Sequence, residues 1–116
     1  MIVTGASPGS LGFETARILA SWGARVAITS RKGTSEVVEQ LRRDGRVSGH
    51  PLDLCDSESV TRFVHWYLGE HGEARDVLVN NAGVHLDLLS QWKEPRLTND
   101  GFEIQWRTNY LGTMHL

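Results

Sequence analysis

Gly5, Gly9 and Gly12 fall within Met1-Ile2-Val3-Thr4-Gly5-Ala6-Ser7-Pro8-Gly9-Ser10-Leu11-Gly12, and glycines at that spacing after a short apolar run can hold a diphosphate. The chemistry rests on backbone rather than on side chains. A strand that ends in a tight turn and feeds a helix leaves the first N–H groups of that helix unpaired, pointing at whatever sits above the turn. Glycine lets an anion approach that backbone and supplies the positive φ that one turn position needs. The spacing is not G-x-G-x-x-G, and taken alone such a cluster reads equally well as a surface turn.

The neighbouring elements decide between the two. Ile2-Val3 precede the turn, and Leu11, Thr15, Ile18, Leu19 and Trp22 recur after it at helical spacing until Gly23 stops the helix. A second strand, Arg25-Val26-Ala27-Ile28-Thr29, follows at once. Strand, glycine turn, helix and strand form the βαβ unit in which a phosphate loop belongs.

Further along, Ser30-Arg31-Lys32-Gly33 leads into a helix expected from Thr34 to Arg43, with Val37, Val38 and Leu41 inward. A third strand is expected near Arg46 to His50. Asp56-Ser57-Glu58-Ser59 then reads as a capped helix start, and Val60, Phe63, Val64, Tyr67 and Leu68 follow with amphipathic spacing. Asp76-Val77-Leu78-Val79-Asn80 reads as a strand covered on both faces, ended by Asn81-Ala82-Gly83. Val84 to Thr98 is irregular, with Leu86, Leu88, Leu89 and Trp92 among polar residues; it is either a rim over a substrate pocket or a surface loop. A last helix is expected from Asn99 or Asp100 to the end, with Glu103 completing a capping box, through Phe102, Ile104, Trp106, Tyr110, Leu111 and Met114.

Alternating strands and helices imply an α/β fold: a Rossmann-like, doubly wound parallel sheet of about four strands in the order 3-2-1-4 with four helices. That order puts the turn at Gly5 to Gly12 beside Asn81-Ala82-Gly83, at the carboxyl ends of neighbouring strands. It also leaves Val77-Leu78-Val79 as an apolar edge and the last helix with no strand to return to. The expectation is a single domain over residues 1–116, incomplete mainly at its carboxyl end.

The 116 residues carry a formal net charge of −2, with 40% hydrophobic and 22% charged residues, so nothing in the balance attracts nucleic acid and no apolar run is long enough to cross a bilayer. With no leader pattern in view, the default expectation is a cytoplasmic chain. Cys55 is the one cysteine, expected as buried filler, and the five histidines form no zinc-binding pair, so no metal is expected.

Thr4-Gly5-x-x-x-Gly9, Asp53-Leu54 after the third strand, Asn80-Asn81-Ala82-Gly83 after the fourth and Asn109 in the last helix together resemble the short-chain dehydrogenases/reductases. The resemblance covers the whole chain. Gly12-Phe13-Glu14-Thr15-Ala16, Asp100 to Gln105 and Thr108 to Gly112 are most similar to the branch that holds retinol dehydrogenases and the WW-domain-containing oxidoreductase. The resemblance implies a nicotinamide dinucleotide bound by Gly5, Ser7, Gly9, Ser10, Leu11 and Gly12 at the pyrophosphate and ribose, Asp53 and Leu54 at the adenine, and Asn81, Ala82 and Gly83 on the ribose side. Where the family has Gly-x-Gly this chain has Gly9-Ser10-Leu11-Gly12, one residue longer.

An NAD site places a carboxylate at the end of the second strand, where it accepts both ribose hydroxyls and repels a 2′-phosphate. Here that position is Ser30, followed by Arg31 and Lys32, whose charges favour NADP over NAD unless they are merely solvated. The resemblance further implies hydride transfer with a small alcohol or carbonyl substrate, with Asn109 as the catalytic position present, holding a water in a proton relay; a bridge between backbone groups is the alternative for Asn109. A homo-oligomeric parent stays open. The family's Tyr-x-x-x-Lys is not matched: Tyr67 is followed four residues later by His71 and Tyr110 by Met114, and both tyrosines are expected in the core. The other function class is therefore a non-catalytic dinucleotide-binding module or a truncated, inactive product.

Overall fold

Successive residues along each strand turn to opposite sides of one sheet, and that alternation organises the molecule. The computed structural model describes residues 1–73, 76–85 and 94–116, so Leu86, Leu88, Leu89 and Trp92 lie outside the described residues. Strands β1 (Ile2–Val3), β2 (Val26–Ser30), β3 (Val47–Pro51) and β4 (Leu78–Val79) pair in parallel in the order β3-β2-β1-β4. Val3, Val26, Ile28 and Val47 face one side and Ile2 and Ala27 the other. The first side is covered by α1 (Leu11–Ser21) and α2 (Thr34–Leu41), with Ala16, Ala20, Val37, Val38 and Leu41 buried. The second is covered by α3 (Ser57–His71), which buries Val60, Phe63 and Tyr67. These are the expected fold and strand order.

Helix α1 does not lie on the face that its bulky residues mark. Leu11 and Trp22 are 81% and 79% exposed, and Ile18 is also outward, while Gly12, Ala16 and Ala20 press on the sheet. Small side chains at four-residue spacing allow a close approach, and a Cβ on Gly45 would come within 2.4 Å of the Ala20 carbonyl oxygen. In α2 and α3 the inward residues match expectation, except that Leu68 of α3 is exposed. Asp56 caps α3 by accepting from the Glu58 N–H. Cys55 is half-buried rather than core filler.

Two further expectations change. The fourth strand is only Leu78–Val79, and Leu78 is 39% exposed: it is an edge strand with an open face, not one covered on both sides. The last helix starts at Ile104, later than expected. Residues 96–104 form a small hairpin instead, closed by Thr98 N–H to Phe102 O at 2.8 Å and Ile104 N–H to Arg96 O at 2.9 Å, with Gly101 at φ 84°. Glu103 is itself the cap, its carboxylate accepting from the N–H groups of Gln105 and Trp106. We label the final helical run α4; it comprises an α-helical turn Ile104–Trp106, a π-helical stretch Arg107–Gly112 and a closing turn Thr113–His115. Tyr110 is 49% exposed and stacked on Trp106 at 4.4 Å, so it is not a core residue. No helix among the described residues is long and apolar enough to cross a membrane.

Candidate functional site

Four strand ends and two helices, α1 and α4, surround a cavity of about 390 Å³ at the carboxyl edge of the sheet. Its first wall is the turn after β1. Gly5 adopts φ 72°, and a Cβ there would stand 2.8 Å from the Ala82 Cα, so the turn and the segment after β4 touch backbone to backbone. Ser10 closes the turn from below, donating to Gly5 O at 3.2 Å and accepting from Phe13 N–H at 3.1 Å as the α1 cap. That leaves the N–H groups of Leu11 and Gly12 outside the helical ladder. Gly9, at φ 73°, has nothing within 4 Å of where a Cβ would stand.

Thr4, at the end of β1, fastens the two loops to each other. Its buried hydroxyl accepts from the N–H of Asn81 at 3.1 Å and of Ala82 at 3.0 Å and donates to Val79 O at 3.3 Å. Asn81 returns the contact, its side-chain amide donating to Thr4 O at 2.8 Å and Gly5 O at 3.3 Å. Asn81 thus shapes the turn as well as lining the cavity. Gly12 sits beneath, where a Cβ would be 2.4 Å from the Asn81 Nδ2.

The wall at the end of β2 holds Ser30 and Arg31. Ser30 Oγ donates to Lys32 O at 2.8 Å and meets Thr34 Oγ1 at 2.8 Å, so its hydroxyl is spent on the turn into α2. Arg31 is exposed on the cavity wall, with no ion pair among the described residues. Opposite lie Leu52, Asp53, Leu54 and Cys55. Asp53 accepts from the Cys55 N–H at 2.9 Å, and its own N–H donates to Ser59 Oγ at 3.0 Å, which fixes this loop to the first turn of α3.

Helix α4 closes the far side with Ile104 and Thr108. Thr108 Oγ1 hydrogen-bonds the Cys55 sulfur, and Arg107 Nη1 donates to Leu54 O at 3.2 Å. Asn109 pairs with the backbone of Val84 in both directions, accepting from its N–H and donating to its carbonyl, each at 2.8 Å. It takes the form of the backbone bridge, on an exposed side chain.

Of the residues singled out in the sequence, Gly5, Ser7, Ser10, Leu11, Arg31, Asp53, Leu54, Asn81, Ala82 and Gly83 line this one cavity, while Gly9, Gly12, Lys32 and Asn109 stand off its wall. Sequence reasoning missed Thr4, Cys55, Arg107 and Thr108 as parts of the site. Thr4 carried a signal, a hydroxyl at a strand end before a glycine turn. The contacts of Leu54 and Cys55 with α4 bridge 53 residues of chain and leave no local pattern. Among the described residues no cluster of three His, Cys, Asp or Glu side chains is placed to hold a metal.

Two carboxylates near α4 are held ionised. The Thr98 hydroxyl, and next the Arg107 guanidinium, keep the Asp100 carboxyl below its ordinary value, and the backbone N–H groups of Trp106 and Gln105 do the same for Glu103. On the far edge of the sheet, partial burial and then the Arg25 charge push the His71 imidazole below its usual value.

Human retinol dehydrogenase 12 is 41% identical over 118 residues, which are 97% of this chain and 34% of that protein. A metagenomic short-chain oxidoreductase solved in complex with NADP is 41% identical, with a TM-score of 0.61, over 72% of this chain and 38% of its own. The 3-oxoacyl-acyl-carrier-protein reductase of Brucella melitensis, solved in complex with NAD, is 31% identical, with a TM-score of 0.77, over 98% of this chain and 44% of its own. The chain spans about a third of the length of the curated relatives it matches, 34% for retinol dehydrogenase 12. The sequence profile of the short chain dehydrogenase family matches residues 1–116, and the chain belongs to the short-chain dehydrogenase/reductase family.

Proposed function

We propose that these residues form the cofactor-binding part of an NADP-preferring short-chain oxidoreductase that moves hydride between a nicotinamide and a small alcohol or carbonyl compound. The observation that carries the cofactor preference is the end of β2: Ser30 stands where an NAD site has a carboxylate, and Arg31 lies exposed on the cavity wall beside it. A guanidinium there offers a planar pair of donors to a 2′-phosphate, and no acidic side chain repels it at that position. Lys32 adds charge to the approach without touching the wall.

The turn fits a dinucleotide. Open space at Gly9, the positive φ of Gly5 and the unladdered N–H groups of Leu11 and Gly12 suit a pyrophosphate, with Ser7 and Ser10 alongside. Asp53 and Leu54 are assigned to the adenine end, and Asn81, Ala82 and Gly83 to the ribose next to the nicotinamide. Bound there, the nicotinamide supplies the carbon that gives or takes hydride. This chain's own part is to orient it, and the pairing of Asn109 with Val84 holds the segment that leaves β4 beneath that end of the cavity. The related structures solved with NADP and with NAD support a nicotinamide dinucleotide and leave the choice between them to Arg31.

One observation favours a second reading, a dinucleotide-binding module without catalysis. Tyr67 is 4% exposed, packed against Phe63 and His71, and Tyr110 stacks on Trp106; neither lines the cavity nor has a lysine four residues on. Both readings require the same binding step, which fluorescence titration of the chain with NADPH and NADH measures. NADPH is expected to bind tighter, and Arg31→Asp to weaken it by about tenfold or more while improving NADH. Equal discrimination before and after the substitution would refute the role of Arg31; no binding of either nucleotide would refute the proposal.

A further inference from the structure

We propose that Arg107 is a positioning residue for the adenine side of the cofactor cavity, holding the loop 52–55 in place from α4. The inference rests on the binding function proposed above and adds to it a residue that no cofactor contact would reveal.

Arg107 is 5% exposed, an unusual burial for a guanidinium, and it joins three segments. Its Nε donates to Asp100 at 2.7 Å, at the tip of the hairpin before α4. Its Nη1 donates to the carbonyl oxygen of Leu54 at 3.2 Å, in the loop after β3. Its own backbone N–H donates to Glu103 O at 2.8 Å, in the cap of α4. The loop's other contacts with α4 gather at the same point: Cys55 bonds Thr108, and a Cβ on Gly112 would stand 2.1 Å from the Leu54 oxygen. Leu52, Asp53, Leu54 and Cys55 line one side of the cavity, so whatever fixes the Leu54 carbonyl fixes that side.

Direction matters as much as charge. Asp100 lies on one side of the guanidinium and Leu54 O on another, and a planar fork can serve both at once, whereas an ammonium is a single point. Asp100 keeps the fork oriented; the bond to Leu54 does the positioning. Arg107 is not among the residues lining the cavity and, in this proposal, does not touch the cofactor.

The test pairs a ligand-free readout with a binding one. Amide hydrogen exchange is followed in the free chain for wild type, Arg107→Gln, Arg107→Lys and Asp100→Asn. Arg107→Gln is expected to speed exchange at Asp53 and Cys55, whose N–H groups donate to Ser59 Oγ and Asp53 Oδ1, by about tenfold, leaving β2 and β3 unchanged. Arg107→Lys should fall between it and wild type, and Asp100→Asn should loosen the hairpin more than the loop. In titrations with 2′,5′-ADP and with NADPH, Arg107→Gln should lose about tenfold for both, since the loss sits at the adenosine end. Unchanged exchange at residues 53–55 overturns the proposal, as does faster exchange spread evenly over the sheet, which would mark a general stabilising role. Should Arg107→Gln fail to fold, Arg107→Lys decides by the same exchange criterion. A wild-type chain that binds neither nucleotide would sink the functional proposal, while the exchange result still decides whether Arg107 holds the loop.

Discussion

At the scale of single residues, the site is built by groups that the cofactor would never meet. Thr4 shows this best: its hydroxyl is buried and engages the backbone of Val79, Asn81 and Ala82, joining the segment after β4 to the turn after β1. Thr4→Val keeps the shape and leaves the N–H groups of Asn81 and Ala82 without that acceptor, at an expected cost of about 1–3 kcal/mol. Thermal unfolding reads it as a lower midpoint, and an unchanged midpoint would mean that water replaces the hydroxyl without penalty. Ser10 is the counterpart below the turn, capping α1 and closing on Gly5 with one side chain. Helix α1 begins at Leu11, and Gly12 fits beneath Asn81. The glycine positions were legible in the sequence because each answers to a backbone demand, a positive φ at Gly5 and Gly9 or a missing Cβ at Gly12. Arg107 was not legible, since nothing near it in sequence announces Leu54.

Elements were legible where periodicity reports burial. Helices α2 and α3 bury Val37, Val38, Leu41, Val60, Phe63 and Tyr67 as their spacing dictates, and the strand order follows from alternation and handedness. Helix α1 misleads because its buried stripe is Gly12, Ala16 and Ala20, and small residues leave little hydrophobic signal. The start of α4 misleads for another reason: Asp100, which looks like a helix cap, is taken by Thr98 and Arg107, so the cap falls to Glu103. This gives α4 an acid dependence. Asp100 and Glu103 both have folded-state pKa values below their ordinary ones. Each therefore contributes stability that is complete above the ordinary carboxylate range, near pH 4, and is lost as pH falls through the lower folded value. Amide signals of Gln105 and Trp106 should broaden or shift in acid before those of β2 do. Loss of both sets together would show that α4 has no separate acid sensitivity.

For the whole molecule, the cavity and the two tyrosines separate in space. The cavity collects its walls from four strand ends, α1 and α4, whereas the tyrosines lie elsewhere, Tyr67 on α3 in the core and Tyr110 exposed on α4. The 116 residues by themselves are expected to bind NADPH without oxidising it in the presence of a ketone, measured as constant NADPH absorbance. A steady rate that Tyr110→Phe abolishes would overturn that expectation. The edge strand β4 leaves Leu78 39% exposed, as is Val77 just before it, in keeping with its place in the strand order.

The widened turn of α4 sets the angular phase of everything after it. Residues five apart stand about 140° from each other around an ordinary α-helix, yet Arg107 and Gly112 both address the same carbonyl of Leu54. Bonding from i to i+5 across Arg107–Gly112 removes most of that offset, so the stretch works as a spare residue that brings two distant rungs into line. Deleting one residue between Arg107 and Gly112 would restore ordinary pitch with little change in circular dichroism. It would also swing one of the two rungs off Leu54, and a fall in thermal midpoint is the expected sign.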